Sequence, residues 1–496
     1  MQSWFTIELN GASWRHEDVS VHTSLLDGLK ACGQVDVLTR ADSEQGGALV
    51  LMLDVDRDRR PVLRTIDAVQ VPLVTMVGKQ IWTRKGLQSH FSEHPLWAVE
   101  KGYPGLDSHP LRRDNLLLLL FEWCALTAGQ KKVTLPDDFI SRTADYAAVK
   151  KVIEVLLPME SYGAARLGED RVEAGDAVKY VDVDKNRFYR PLTIVDLFEL
   201  KNQTAKVKVI AGGITAAREP ATVRLSVESI GELRAVVDEG SHWQIGSAVP
   251  LTEIVEVLGD EYPELGKTLQ RYALGPLRNR MTLGGQLNTS SGRAELGPVL
   301  LTLEARVRLA SEGGARDLTV QSFFARHEEG ALRHNEIIKS VSVPRDTAEM
   351  LRVKDCEQRV CEAYKVSLRS TGCPALISAA FALELDEEKK VQRAILAYGG
   401  LIEQPVLAVK TAAALKGKVW DQHAVIAVLK NLDEEIALLG KLDEKDGRRL
   451  WVSTLLQKFQ HQYASLQKRK ADKAGAEVRR DLAEDGEGFF KPIDAD

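Results

Sequence analysis

The chain has 496 residues, enough for three or four domains, and a formal net charge of −5. Hydrophobic residues make up 44% and charged residues 28%, as in water-soluble globular proteins. There is no basic footprint for nucleic acid, no apolar run of the about 18 residues that a membrane span needs, and no signal-peptide pattern at the start. The five cysteines form no C-x-x-C pair, which favours reduced thiols and a cytoplasmic protein.

The first residues predict a hairpin followed by a helix. WFTIEL (4–9) is apolar and β-prone, and it precedes Asn10-Gly11, a dipeptide that favours a tight turn because both residues tolerate positive φ. We expect a second strand at residues 19–22. TSLLDGLKACG (23–33) then predicts a short helix, capped by a hydroxyl at its start and ended by a glycine.

A buried strand and a helical region follow. ALVLMLDV (48–55) is continuously apolar, and together with the earlier elements it predicts a small β-grasp domain that ends near Leu87. Residues 94–157 have helical patterns. NLLLLLFEWCAL (115–126) is apolar on nearly all sides, which predicts the buried helix of a small bundle.

The second half predicts two α+β regions. Residues 161–187 are polar and are interpreted as a linker. Residues 188–345 alternate short strands, glycine turns and helices, whereas residues 356–465 begin with strands and continue with helices. The tail, residues 466–496, is highly charged and predicts a flexible segment or one that lies on a partner.

Two glycine turns have the chemistry of a dinucleotide site. Gly212 and Gly213 follow an apolar strand, and glycines there let successive backbone N–H groups point into one concavity that can cradle a diphosphate. Thr282, Gly284 and Gly285 offer a second turn of this kind. Neither turn matches the G-x-G-x-x-G fingerprint, and ordinary strand-to-turn glycines are the alternative reading of each turn alone.

Three stretches taken together resemble a known family. They are FYRPLTIVDLFELK (188–201) leading to KVIAGGITA (208–216), the run from LGPLRNRMTLGGQLN to LEARVRL (274–309), and EAYKVSLRSTGCPALISAAFAL (362–383). They are similar to the FAD-binding and C-terminal flavin domains of the molybdenum hydroxylases, the family of xanthine dehydrogenase and carbon monoxide dehydrogenase. The resemblance covers residues 185–465.

The N-terminal part resembles the iron–sulfur domains of the same family, without the ligands. ELNGASW (8–14) and VPLVTMVGKQIWTRKGL (71–87) match the start and the end of its ferredoxin-like domain. When the chain is matched to these domains, the cysteine positions of the first cluster hold Arg40, Gln45, Ala48 and Val69. Those of the second cluster hold Gly105, Ser108, Ser141 and Thr143. Because binuclear clusters need thiolate ligands, the resemblance implies no iron–sulfur cluster in this chain.

The implied fold is α+β and multidomain, with a β-grasp ferredoxin-like domain, a small helical bundle, a two-part FAD-binding domain and a C-terminal α+β flavoprotein domain. The expected boundaries are a degenerate β-grasp domain at 1–88, a degenerate helical domain at 89–160, a linker at 161–187, the FAD-binding domain at 188–350, the C-terminal domain at 356–465 and a charged tail at 466–496.

The resemblance also implies the residues that bind FAD. They are Ala211, Gly212, Gly213, Ile214, Thr215, Thr282, Gly284, Gly285, Gln286, Ser290, Ser291, Glu295 and Lys365. In the family the segment of Lys365 approaches the isoalloxazine ring, where a cation stabilises an anionic reduced flavin. A surface lysine on a strand is the alternative. Gln286 and Glu295 depart from the usual Asn and Asp, and each is longer by one methylene group. No metal ligand and no catalytic residue is assigned, and His90 and His94, which match H-x-x-E-H, lack the helix that such a zinc site needs because Pro95 follows.

Three functional hypotheses remain open at this stage. The first is an FAD-binding small subunit, with a molybdopterin-binding large subunit and a separate iron–sulfur subunit as partners and NAD+ or another compound as electron acceptor. The second is a non-catalytic scaffold or assembly subunit that keeps the fold. The third is a stand-alone flavin oxidoreductase.

Overall fold

The computed structural model describes residues 1–34, 47–56, 60–102, 110–127, 146–156, 176–204, 206–214, 221–326, 331–345, 358–368, 373–443 and 445–486. Four sheets and their helices make up this part of the chain. No described helix is long and apolar enough to cross a bilayer.

The first sheet has the β-grasp arrangement. Its strands are β1 (Trp4–Leu9), β2 (Ala12–Glu17), β3 (Leu49–Val55), β4 (Pro61–Asp67) and β5 (Gln80–Trp82), in the order β2-β1-β5-β3-β4. β1 lies parallel to β5, and helix α1 (Leu25–Ala31) and a 3-10 helix (Leu73–Met76) complete the domain. Ser24 caps α1, as a hydroxyl cap predicts.

The predicted strand at residues 19–22 is wrong. The second strand is β2, which pairs directly after the turn, with Leu9 opposite Ala12. Asn10 and Gly11 both have positive φ, so the hairpin turns within two residues and the partner strand starts at once.

Helices cover the outer face of this sheet. They are α2 (Arg84–His90), α3 (Pro95–Gly102), α4 (Pro110–Thr127) and α5 (Tyr146–Leu156). Leu116 to Phe121 of α4 are buried, as predicted for an all-apolar helix. Strand β3 is buried on both faces: Leu49, Leu51 and Leu53 pack with the helices, and Val50 and Met52 pack with the inner core.

The second sheet carries the first glycine turn. It contains β6 (Val178–Val181), β7 (Arg187–Arg190), β8 (Lys208–Ile210) and β9 (Val223–Ser226), in the order β6-β7-β9-β8, with α6 (Ile194–Gln203) after β7 and α7 (Gly231–Arg234) after β9. The C-terminal end of the predicted linker, residues 161–187, overlaps the hairpin of β6 and β7. The apolar side chains of Val178 and Tyr180 anchor this hairpin because they are buried.

The third sheet and its helices carry the second glycine turn. Its strands are β10 (Val236–Asp238), β11 (His242–Gly246), β12 (Arg306–Ser311), β13 (Gly314–Thr319) and β14 (Ile337–Pro344), in the order β10-β11-β14-β12-β13. The helices are α8 (Leu251–Leu258), α9 (Pro263–Tyr272), α10 (Gly275–Arg278), α11 (Leu283–Leu287), α12 (Ser290–Thr302) and α13 (Val320–Ala325).

The fourth sheet forms the C-terminal domain. It consists of β15 (Gln358–Val366), β16 (Ile377–Leu385), β17 (Val391–Gly399) and β18 (Val406–Leu407), followed by α14 (Val409–Leu415), α15 (Gln422–Gly440) and α16 (Arg448–Gly486). Helix α16 continues through the charged tail as far as residue 486, and residues 487–496 lie outside the described part. Helix-forming Gln, Lys, Arg, Ala and Glu residues dominate this part of the sequence and favour the extension, although Asp472, Gly475 and Val478 interrupt them.

Candidate functional site

A cavity of about 470 Å³ lies between the second sheet and the helices of the third. Both glycine turns border it, together with apolar side chains and several cations. Its lining comprises Lys201, Lys208, Val209, Ile210, Ala211, Gly212, Gly213, Ile214, Val227, Leu233, Ser247, Arg280, Met281, Thr282, Gly284, Gly285, Gln286, Asn288, Thr289, Leu332, Arg333, Glu336, Ile337 and Ile338. The volume is within the range of small-molecule and cofactor sites.

The first glycine turn, residues 211–214, requires both of its glycines. Gly213 has φ +82°, a conformation that side chains with a Cβ rarely adopt. A Cβ on Gly212 would lie 1.5 Å from the carbonyl oxygen of Arg280. The first turn therefore approaches Arg280, which precedes the second turn, so closely that only glycine fits, and the backbone itself forms this wall of the cavity.

The second glycine turn, residues 282–285, opens helix α11. The Thr282 hydroxyl caps the helix and accepts a hydrogen bond from the Gly285 N–H at 3.2 Å. The Gly284 N–H donates to the Ser247 carbonyl at 2.9 Å, and a Cβ on Gly284 would lie 2.6 Å from the Ser247 Cβ. The strand end at Ser247 thus fixes the position of this turn in the cavity.

Gln286 presents a hydrogen-bond donor at the same place. The residue is 5% exposed, and its side-chain carbonyl oxygen accepts a hydrogen bond from the Tyr272 hydroxyl at 2.5 Å. The Thr289 hydroxyl donates to the main-chain carbonyl of Gln286 at 3.0 Å. Because the Tyr272 hydroxyl occupies its side-chain oxygen, the amide NH2 of Gln286 is the group from which a ligand oxygen can accept.

Cations that the sequence analysis missed also line the cavity: Lys201, Lys208, Arg280 and Arg333. Lys201 is only 9% exposed and has no carboxylate partner among the described residues, and burial lowers its pKa. A buried ammonium without a counter-charge is costly, so it favours an anionic ligand beside it. The burial of Lys201 could have been predicted from the helix pattern, because it follows the buried Leu197 by four residues and so lies on the same face.

Glu295 and Lys365, both predicted cofactor residues, lie together but outside this lining. They form an ion pair of 2.7 Å with side chains 4% and 8% exposed, next to a much smaller cavity of about 10 Å³. Lys365 also donates to the Arg271 carbonyl at 3.0 Å. Burial raises the pKa of Glu295, although the Lys365 charge opposes that effect. Lys365 is thus a buried, paired cation and not a surface lysine.

The remaining predicted site residues are only partly described. Thr215 lies outside the described residues. Ser290 and Ser291 begin helix α12, but their side chains fall outside the description. The structure thus brings Ala211, Gly212, Gly213, Ile214, Thr282, Gly284, Gly285 and Gln286 to one cavity.

The cysteines of the described chain are free thiols without metal-site geometry. Cys32, Cys124, Cys361 and Cys373 form no disulfide, and no cluster of three or more candidate metal ligands occurs among the described residues. Burial raises the pKa of Cys124 to about 12 and raises that of Cys361 further. Without a bound metal, these thiols stay protonated at neutral pH. Of the positions matched to cluster cysteines, only Ala48 and Val69 lie within the described residues.

Comparisons with known proteins identify the two domains that form the cavity and its neighbour. Residues 182–346 match the FAD binding domain in molybdopterin dehydrogenase, and residues 362–463 match the CO dehydrogenase flavoprotein C-terminal domain. The resemblance drawn from the sequence and the α+β multidomain fold class are thereby confirmed.

Individual relatives are distant. Nicotinate hydroxylase of Emericella nidulans is 25% identical over 331 residues, which are 62% of this chain and 23% of that protein. Xanthine dehydrogenase of Dictyostelium discoideum is 25% identical over 291 residues, 51% of this chain and 21% of that protein. The crystal structure of quinoline 2-oxidoreductase from Pseudomonas putida 86 is 21% identical, with a TM-score of 0.45, over 55% of this chain and 93% of that one. The chain spans about a fifth of the length of the curated relatives it matches.

Proposed function

Because residues 182–346 and 362–463 form the two flavoprotein domains of the molybdenum hydroxylase family, we propose that this chain is the FAD-binding subunit of a molybdenum hydroxylase-type oxidoreductase. It passes electrons between a partner redox subunit and NAD+ or another acceptor. The observation that carries the proposal is the single cavity in which two glycine turns meet.

The residues of the cavity fit an anionic dinucleotide. A Cβ on Gly212 would clash with Arg280 and one on Gly284 with Ser247, so these glycines allow the main chain of both turns to pack closely at the cavity wall, where a diphosphate can contact it. Lys201 supplies a positive charge that no described carboxylate neutralises. Apolar side chains such as Val227, Leu233 and Leu332 offer a surface for flat rings.

Bound FAD supplies the transfer of hydride or single electrons. The protein binds and orients it: the first glycine turn holds the diphosphate, Lys201 and Lys208 balance its charge, and Gln286 donates a hydrogen bond from its amide. The second glycine turn shapes the cavity wall, since its Gly284 and Gly285 N–H groups are bonded within the protein. The ion pair of Glu295 and Lys365 links the FAD-binding domain to the C-terminal flavoprotein domain, and the two charges neutralise each other.

The iron–sulfur centres of the complex belong, in this proposal, to another chain. The sequence offers no cysteine at the positions matched to cluster ligands, and the buried thiols of Cys124 and Cys361 have raised pKa values. A molybdopterin-binding large subunit and an iron–sulfur subunit are the partners, and the cytoplasm, which keeps thiols reduced, is the compartment.

One preparation of the full chain tests the proposal. We expect an oxidised-flavin absorption spectrum, one extractable FAD per chain and no iron, and co-purification with a molybdopterin subunit when the partners are present. A colourless chain that stays colourless after incubation with FAD and gel filtration would instead support the scaffold hypothesis. A yellow chain that never associates with a molybdopterin subunit would support the stand-alone oxidoreductase.

A further inference from the structure

The N-terminal β-grasp domain meets the FAD-binding domain directly at the first glycine turn. The core of the β-grasp sheet includes four residues of the second sheet, namely Val178, Tyr180, Phe188 and Ile210. Ile214 packs against the same core, so both residues that flank the turn are anchored in the β-grasp domain. An added Cβ on Gly213 would lie 3.0 Å from the Pro72 Cδ, which shows how closely the two domains approach at this turn.

Buried charges join the two domains beneath the turn. We define the seam cluster as Asp54 and Lys79 of the β-grasp domain with Arg190, Glu228 and Arg280 of the FAD-binding domain. The Lys79 ammonium lies 3.8 Å from the carboxylates of both acidic members, and Glu228 lies 2.7 Å from the Arg280 guanidinium and 3.9 Å from that of Arg190. All five side chains are at most 18% exposed.

Arg280 connects this cluster to the cavity. Its Nε donates to the Gly212 carbonyl at 3.1 Å while its Nη2 is held by Glu228 at 2.7 Å. Burial alone would raise the pKa of Asp54, but Lys79, Arg234 and Arg280 together hold it well below its usual range. The acids of the cluster are therefore ionised at neutral pH, and their charges set the position of the arginine that supports the turn.

A second set of contacts keeps the domains from separating. Asp182 accepts a hydrogen bond from the Val21 N–H at 3.1 Å, and Arg224 reaches the Val21 carbonyl and the His22 ring, the latter at 2.6 Å. The Tyr180 hydroxyl bonds to the Val19 carbonyl. These contacts lie on the segment of residues 19–22, which explains why it is ordered although it forms no strand.

From these contacts we infer that the β-grasp domain, although it lacks cluster cysteines, is a working half of the nucleotide site. Asp54 and Lys79 are positioning residues: they act through Glu228 and Arg280 to hold the first glycine turn in its ligand-binding shape. The inference rests on the proposed FAD binding for the identity of the ligand. The β-grasp domain then has a role that needs no metal. A turn that is already ordered before binding increases affinity, because no binding free energy is spent on ordering it.

The test uses full-length Lys79→Met and Asp54→Asn, neither of which changes a residue that lines the cavity. We expect each to weaken FAD binding about tenfold, the factor that follows if the turn holds its binding shape one tenth of the time. Quenching of flavin fluorescence gives the dissociation constant. Lys79→Arg retains the charge and should restore most of the affinity.

The matched control is Arg64→Met. Arg64 makes a bidentate ion pair with Glu256 at 2.7 Å across the same domain boundary, and this pair includes no residue of the turn and no residue that bonds to it. We expect it to lower the melting temperature as the test variants do while leaving FAD affinity within about twofold of the unmodified chain. Equal weakening in Arg64→Met, or unchanged affinity in Lys79→Met and Asp54→Asn, overturns the inference.

Hydrogen exchange separates this inference from the proposed function. In the chain without FAD, Lys79→Met should speed exchange of the amides of residues 211–214 more than Arg64→Met does. If the unmodified chain binds no FAD, the proposed ligand is wrong, and the exchange comparison still decides whether the β-grasp domain holds the turn. Equal exchange in both variants would overturn the inference whatever the result with FAD.

Discussion

Two lysines that the flavoprotein domains bury have opposite electrostatic settings. Lys201 borders the large cavity with no described carboxylate beside it, whereas Lys365 is paired with Glu295 at 2.7 Å and borders only a small one. A buried charge is tolerated when it is paired, and an unpaired one needs another anion. The large cavity therefore has a buried positive charge that no described carboxylate neutralises, while the neighbouring contact is already neutral.

The largest expected effect concerns the wall of the cavity. Gly212→Ala places a Cβ 1.5 Å from the Arg280 carbonyl oxygen, so the two glycine turns must move apart. We expect FAD binding to be lost within the measurable range, because the backbone no longer forms the cradle. Titration of flavin fluorescence measures it, and circular dichroism checks that the chain is folded.

Gly231→Ala is the control for that change, since nothing lies within 4 Å of an added Cβ there. Its affinity for FAD should match that of the unmodified chain. Normal binding by Gly212→Ala would mean that the diphosphate is not held by this turn.

Breaking the ion pair of Glu295 and Lys365 should lower the stability of the fold and leave FAD affinity unchanged. Lys365→Met leaves the Glu295 carboxylate buried without its partner, and we expect a loss of about 3 to 5 kcal/mol in the free energy of unfolding. Urea denaturation measures this loss, and FAD affinity should change little. A large loss of affinity at full stability would return Lys365 to the flavin site, as the sequence resemblance implied.

The same contact predicts a pH effect with a defined sign. Burial raises the pKa of Glu295 above its ordinary value of 4.5, so the folded state holds its proton to higher pH than the unfolded state does. This carboxyl therefore contributes less stability as pH rises through that window. Glu295→Gln removes the contribution, and the difference in unfolding free energy between the two proteins should shrink as pH is lowered toward 4.5. A difference that does not change with pH would contradict the assignment.

Removal of Lys201 should lower FAD affinity without loss of stability, which is the opposite of the result expected for Lys365→Met. Lys201→Met deletes a desolvated cation, so the chain without FAD should melt at the same temperature or higher, while FAD affinity falls about tenfold, as for the loss of one charged hydrogen bond. Scanning calorimetry and fluorescence titration measure the two quantities. Lys179→Met, at a lysine whose side chain lies on the exposed side of β6, is the matched control.

The smallest expected effect is at Gln286. Gln286→Leu keeps the size of the side chain but removes the amide that faces the cavity, and it also leaves the Tyr272 hydroxyl without this acceptor. We expect FAD affinity to fall severalfold, about the value of one neutral hydrogen bond. Isothermal titration calorimetry should show the loss mainly as a less favourable binding enthalpy, and an unchanged enthalpy would mean that the amide does not contact the ligand.

Much of this architecture could be predicted because it follows from local rules. The turn at Asn10-Gly11, the capped helix α1 and the apolar strand β3 are fixed by patterns of a few residues. The second strand was misplaced because residues 19–22 owe their order to contacts with Asp182 and Arg224, which are distant in sequence.

The candidate site likewise contains residues that the local sequence predicts and residues whose surroundings depend on distant parts of the chain. The glycine turns could be predicted from glycines that follow an apolar strand and from the family resemblance, and the structure adds that close packing excludes a Cβ at Gly212 and Gly284. Lys201 was missed because a lysine within a helix normally indicates the solvent face, although its spacing from Leu197 places it on the buried face of α6. Glu295 and Lys365 were grouped with the turns by family resemblance, and nothing local could show that they neutralise each other first.

Strand β3 has a consequence for how the first half of the chain unfolds. Its alternate side chains belong to two different hydrophobic cores, with Leu51 on the side of the helices and Met52 on the side of the β-grasp interior. Neither core can melt without exposing the reverse face of the same strand. The two N-terminal regions therefore constitute one cooperative folding unit, and thermal denaturation should show them disappearing in a single transition.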